Sequence, residues 1–202
     1  DNPKALAEAV HKASLTADII VVNAGSSAGS EDYTGDIVKS MGELIVHGVA
    51  IKPGKPTILG IVNDKPFIGV PGYPVSAALS CELFLLPLLA KMLGLRVRQR
   101  AKVDAIVTRR IVSAPGMDEF VRVKVGKVKG RYVASPLPRG AGAIMSLVKA
   151  DGYVKVPGSS QGILESSEVT VNLLRDIEEI DNAIVAIGSH DLALDLLGSL
   201  LA

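Results

Sequence analysis

The chain has 202 residues, a formal net charge of +1 and 48% apolar residues, with 3% aromatics, no Trp and one cysteine. That length and apolar content exclude a disordered chain and leave room for one large or two small domains. A single cysteine excludes a disulfide framework, so Cys81 reads as a packing residue and a reducing, cytoplasmic setting is expected.

In chain order, Asp1-Asn-Pro3 opens a helix running to Ser14, with a capping side chain and a proline at its first position. Asp18–Val22 is short, apolar and β-branched, and predicts a buried strand of a parallel sheet. Asp32–Met41 predicts the helix after it. Between them, Asn23-Ala-Gly-Ser-Ser-Ala-Gly-Ser-Glu-Asp-Tyr-Thr34 is a Gly/Ser loop, where α/β sheets bind ligands. Gly25 and Gly29 let backbone N–H groups approach a ligand, Ser26, Ser27 and Ser30 add hydroxyls, and Asp32 adds a carboxylate suited to a divalent cation. The pattern is neither a Walker loop nor a dinucleotide fingerprint, and a plain βα connection is the alternative.

Glu43–His47 predicts a further strand, and Ile51-Lys-Pro-Gly-Lys-Pro56 a stiff turn. Lys52 and Lys55 are then held near one point. That arrangement costs free energy unless an anion binds, the alternative being two exposed turn lysines. Thr57–Val62 and Pro66–Val70 predict a hairpin, and Val70-Pro-Gly-Tyr-Pro-Val-Ser76 leads into an apolar, buried helix to about Leu93, with Ser76 a donor in its first turn. Beyond Gly94, the segments 97–108, 119–128, 131–135, 153–156 and 168–174 predict the short strands of a small β-barrel. From Lys91 to Arg139 there are 13 Lys or Arg against three acids. This predicts a basic surface, either a solvated face or, with few aromatics for stacking, a weaker candidate for nucleic acid. An acidic connector from Arg175 and a strand, loop and helix start from Asn182 complete the chain.

Three motifs in this order, Ala24–Thr34, Ala50–Pro56 and Val70–Ser76, resemble the molybdopterin molybdenumtransferase family, also known as MoeA or gephyrin E. The resemblance covers about residues 1–174 and implies an α/β fold. Residues 1–95 would be a three-layer αβα molybdopterin-binding domain lacking its first strand and helix, and 96–174 a β-barrel domain. Residues 175–202 would be a linker and the start of a periplasmic-binding-protein-like domain. The family inserts molybdate (or tungstate) into adenylylated molybdopterin with Mg²⁺ and releases AMP.

Carried over by position, the resemblance implies that Asp32 is the essential carboxylate near Mg²⁺. Gly25, Ser26, Ser27 and Gly29 would line the pterin phosphate. Lys52, Lys55 and Ser76 would form the oxyanion pocket, with Pro56, Pro71 and Gly72 of the same motifs, and Arg122 of Glu119-Phe-Val-Arg122 would stand beside it. Asp1 matches an aspartate near the site. Two departures stand out: Gly48 replaces a lysine found in many members, and Ala141 a barrel-loop serine, with Arg139 nearby as a substitute anion contact. His47 and His190 are expected to be ordinary histidines. The resemblance implies small-molecule substrates, a homodimer of the intact protein, and neither nucleic acid nor membrane as partner. The alternatives are a non-catalytic pterin- or oxyanion-binding module and a nucleic-acid-binding protein using the basic region.

Overall fold

The computed structural model describes residues 2–23, 33–97, 99–140, 144–186 and 192–201. Asn2 caps α1 (Pro3–Thr16), its side-chain oxygen accepting from the N–H groups of Lys4 and Ala5 at 3.1 and 3.2 Å. Next come β1 (Ile20–Asn23), α2 (Tyr33–Met41), β2 (Gly42–His47), β3 (Ile51–Lys52), β4 (Ile58–Val62) and β5 (Lys65–Val70). Four of these strands form a sheet in the order β1-β5-β4-β2. Val10 of α1 and Ile37 and Val38 of α2 pack onto Ile20, Ile58, Val62 and Phe67 of that sheet.

The sheet is mixed, not parallel. β1 runs parallel to β5, while β4 is antiparallel to both β5 and β2. The cause is the β4–β5 hairpin. Its Asn63 and Asp64 lie at φ 46° and 62°, the two-residue turn whose twist matches that of paired strands. β1 ends the strand order, and its Val21 is exposed, so it is not the buried strand the sequence suggests.

The apolar run continues as α3 (Pro74–Ser80), a wider turn over Cys81–Leu85, and α4 (Leu86–Met92). In the wider turn Leu86 N–H donates to Cys81 O, five residues back. Pro87 is the physical reason, because it has no N–H to offer and its ring crowds the preceding turn. The sequence predicts a buried helix here; only part of it is. Val75, Ser76, Leu79 and Ser80 are buried, α4 buries no residue, and Leu86, Met92, Leu93 and Leu95 are exposed. By length and a mean hydropathy of 1.6, Pro74–Met92 would also suit a membrane span. Glu82 in its middle is ion-paired with Arg100 beyond it.

The second half contains β6 (Lys102–Val107), β7 (Ile111–Val112), β8 (Asp118–Val128), β9 (Arg131–Pro136), α5 (Ile144–Lys149), β10 (Gly152–Val156), β11 (Gly162–Ile163) and β12 (Glu168–Leu173). β8 pairs with β10 through residues 119–123 and with β9 through 123–128, while β10 pairs with β12, β12 with β6 and β6 with β9. Five strands thereby close into a small barrel. Its interior holds Val103, Ala105, Val123, Val125, Ala134, Val154, Val171 and Leu173. Along β8 the odd positions face this interior, and Phe120 and Arg122 lie on the other side of the strand. β3 joins the barrel sheet from the first half: Ile51 and Lys52 pair in parallel with Asp118 and Glu119.

After the barrel, the acidic connector forms a short helix, α6 (Ile177–Asp181), which inserts Ile180 into the barrel core. Residues 183–186 form no strand, contrary to the sequence reading. Val185 packs closely against Gly126 of β8, leaving no room there for a Cβ. α7 (Leu192–Leu201) follows with Leu192, Leu196 and Leu200 exposed.

Candidate functional site

Register brings three loops to one end of the first sheet. Asn23, the last residue of β1, lies beside Val70, the last of β5. The Gly/Ser loop and the Pro71-Gly-Tyr-Pro74 loop therefore start side by side. Ile58, the first residue of β4, lies beside Gly69. The lysine turn just before β4 thus meets the same edge. The sequence reading anticipates this convergence from a parallel sheet; the hairpin's antiparallel β4 produces it instead.

The lysine turn is tightly braced. Val49 N–H donates to Lys55 O at 2.8 Å, and Thr57 N–H to Gly54 O at 3.1 Å. The Lys52–Pro53 peptide is cis, and Gly54 takes φ 116°, open to glycine at little cost. A Cβ on Gly54 would lie 2.9 Å from Ile51 Cδ1 and 3.3 Å from Ser80 Oγ, so the turn sits directly against α3. There the buried hydroxyls of Thr57 and Ser80 share a hydrogen bond of 2.7 Å. Ser80→Ala is expected to cost about 1 kcal/mol of stability, the usual net value of one hydrogen bond. Urea denaturation checks this, and an unchanged midpoint would show that the turn's own backbone bonds suffice.

Lys52 and Lys55 are both exposed, Pro56 is half-buried, Pro71 is buried and Gly72 is exposed. Ser76 is 3% exposed, in the first turn of α3. A hydroxyl at this place, near a helix N-terminus, is a donor suited to a ligand oxygen. Gly48 has φ 92°, a left-handed backbone that glycine adopts more readily than a lysine would. His47 packs its ring over Gly35 of α2.

From the barrel, Phe120 packs against Ile51 and Leu79, fixing β8 against β3 and α3. Arg122, two residues along and on the same face, is buried. Its Nε donates to Ser146 Oγ at 2.8 Å and its guanidinium reaches Gly140 O at 3.4 Å. Burial lowers its pKa, against an opposing influence from Glu119. A buried, preorganised guanidinium at the seam of the two halves is suited to an oxyanion.

Glu119 is the residue that the sequence reading missed. It is buried at one end of the barrel, where Ser113 Oγ donates to Oε2 at 2.7 Å. Lys52 Nζ and Arg139 Nη1 each lie 3.3 Å from Oε1. Burial alone would push its carboxyl up; the Ser113 hydrogen bond and the charges of Lys52 and Arg139 outweigh this and hold it below the usual range. Arg139, expected from the sequence as a substitute anion contact, is committed to Glu119 and to Val112 O. A Glu–x–x–Arg spacing on a strand places the two residues on opposite faces, the only signal available beforehand.

Asp1, Gly25, Ser26, Ser27, Gly29, Ser30, Asp32, Ala141 and His190 lie outside the described residues. Among the described residues, no three His, Cys, Asp or Glu gather into a cation site. The basic excess from Lys91 to Arg139 is partly neutralised by acids from other segments. Arg100 pairs with Glu82, Lys124 with Asp151 and Lys127 with Asp181.

Comparison with known proteins matches both halves. The family model "Probable molybdopterin binding domain" matches residues 1–91, and "MoeA C-terminal region (domain IV)" matches 104–174. A molybdopterin biosynthesis protein of Methanocaldococcus jannaschii is 36% identical over 87% of this chain and 41% of its own length. The molybdopterin molybdenumtransferase of Bacillus subtilis is 26% identical over 83% of this chain and 40% of its own. The chain thus spans about two fifths of the length of these curated relatives. Among solved structures, a molybdopterin biosynthesis MoeA protein of Pyrococcus horikoshii superposes with a TM-score of 0.70 at 35% identity, covering 87% of this chain and 42% of that one.

Proposed function

The chain belongs to the MoeA family of molybdenum cofactor biosynthesis proteins, and from that premise we propose that the intact protein transfers molybdate, or tungstate, into adenylylated molybdopterin and releases AMP. One observation carries the reading: the braced Lys52–Lys55 turn stands where the carboxyl end of β5, α3 and the barrel meet. Lys52, Lys55, the buried Ser76 hydroxyl and buried Arg122 supply positive charge and donors for a tetrahedral dianion. The Gly/Ser loop, which follows β1 in the chain, is the proposed holder of the pterin phosphate. Catalysis on this reading is electrostatic and positional. The cations hold molybdate against the dithiolene and stabilise the negative charge that passes to the departing phosphate. Mg²⁺, with Asp32 as its implied ligand, supplies charge neutralisation at the phosphate when bound. A cytoplasmic homodimer of the intact protein belongs to the same proposal.

Lys55→Ala is expected to weaken molybdate binding by roughly 1.5–3 kcal/mol, the range for a hydrogen bond to a charged group. Added salt should weaken it further by screening. Calorimetry with sodium molybdate tests this, and an unchanged affinity would remove the turn from the site. A second reading, a module that holds pterin or oxyanion without turnover, draws on the share of the relatives' length that the chain spans. AMP release by this chain, measured beside a full-length family member, separates the two.

A further inference from the structure

We infer that Glu119 is an internal counter-anion of the oxyanion pocket: paired with Lys52 and Arg139, it holds down the affinity of the free site for molybdate. The inference rests on the reading of Lys52 as an oxyanion ligand. Its physical basis is independent of the family motifs, because none of them assigns Glu119 a role.

The geometry leaves two routes for a dianion, and both have the same sign. Lys52 Nζ lies 3.3 Å from Glu119 Oε1. In the first route Lys52 keeps that pair while contacting an oxyanion. The nearest oxyanion oxygen, at an ordinary ion-pair distance of about 2.8 Å, is then within about 6 Å of the carboxylate and is repelled by it. In the second, Lys52 swings away and breaks the pair, leaving a buried carboxylate with one cation fewer. Glu119 does not move aside to relieve either route. Its side chain is 4% exposed, Ser113 holds Oε2 at 2.7 Å, and Arg139 holds Oε1 from the other direction. Lys52 is tied in turn through its own backbone, which is in register with Glu119 on β8. The carboxylate therefore positions the ammonium and opposes the anion that ammonium attracts. In a transferase this keeps the free oxyanion from filling the site too tightly before the pterin arrives, and leaves binding dependent on both substrates.

The test is titration of this chain with sodium molybdate by calorimetry, at several KCl concentrations. Glu119→Gln keeps the shape and the acceptor for Ser113 but removes the charge. It should bind molybdate roughly five- to tenfold tighter, the size expected from removing one charge about 6 Å from a dianion in a solvated pocket, with a steeper loss on adding salt. The double variant with Lys52→Ala tells the two routes apart: direct repulsion leaves a gain in place, whereas a broken pair accounts for a gain that disappears. A merely structural role for Glu119 predicts equal or weaker binding in Glu119→Gln, and that result overturns the inference. If circular dichroism shows that Glu119→Gln does not fold, Glu119→Asp replaces it. Withdrawing the carboxylate by one methylene should tighten binding two- to threefold, and no tightening is again fatal. If molybdate binds the wild type and Lys55→Ala weakens it while the Glu119 variants change nothing, this inference falls and the anion site stands. If the wild type binds no molybdate, both fall.

Discussion

Asp151→Ala is expected to lower the stability of the barrel by about 2–3 kcal/mol, because it leaves the buried Val125 N–H without its acceptor and takes a charged acceptor from Lys124 and Arg175, which are themselves about half exposed. The Asp151 side chain is 5% exposed. Its Oδ2 accepts from Val125 N–H at 2.9 Å, and its Oδ1 accepts from Lys124 Nζ at 2.8 Å with Arg175 Nε at 3.4 Å. Its backbone adds two further links: N–H to Val123 O and C=O from Leu174 N–H. One residue thus ties β8, the start of β10 and the end of β12 at the point where the barrel closes. Removing the carboxylate leaves a buried N–H unpaired and two cations without their shared acceptor. Asp151→Asn keeps an oxygen for Val125 and should cost only about 1–1.5 kcal/mol, the net value of one interaction. Urea unfolding of both variants decides the matter; equal costs would show that the charge has no part in the closure.

What the sequence made legible follows from locality. The β4–β5 hairpin has its turn residues between two apolar runs, and the barrel strands alternate in polarity with glycines between them, so each could be placed from its own neighbours. The lysine turn and the Pro71–Pro74 loop could also be placed, and both stand at one end of the first sheet. The strand order was not legible, because whether β1 lies beside β4 or β5 is decided by pairing across the fold. Glu119 was hidden for the same reason. Its partners, Lys52, Ser113 and Arg139, come from separate segments, and alternation along β8 marks only which face it takes. β3 has two residues, too few to carry any pattern, yet it joins the first half to the barrel. The exposed face of α4 defeated hydropathy, since an apolar helix reads the same whether its surface is covered or open.

Asp32→Asn is expected to reduce molybdate transfer by the intact protein by roughly 10²–10³-fold, the usual effect of deleting one preorganised electrostatic group, while leaving its melting temperature unchanged. The substitution separates charge from structure. Asn and Asp cap helices equally well, so if residue 32 caps α2 the exchange preserves the cap. α2 is in any case anchored by packing, with Thr34, Gly35, Ile37 and Val38 buried. What Asn cannot replace is the negative charge of Asp32. On the proposed reading, Lys52, Lys55 and Arg122 attract both substrates, which are anions. On the same reading, the Asp32 carboxylate would offset this positive field and recruit a cation to the phosphate. Asp32→Ala serves as the structural control: if the residue caps α2, Ala costs about 1 kcal/mol of stability where Asn does not. Steady-state AMP release and thermal unfolding, measured on both variants, distinguish the two roles. Transfer retained at more than half the wild-type rate in Asp32→Asn would remove the carboxylate from the chemistry. A fall in melting temperature in Asp32→Asn matching that of Asp32→Ala would mark its charge as structural.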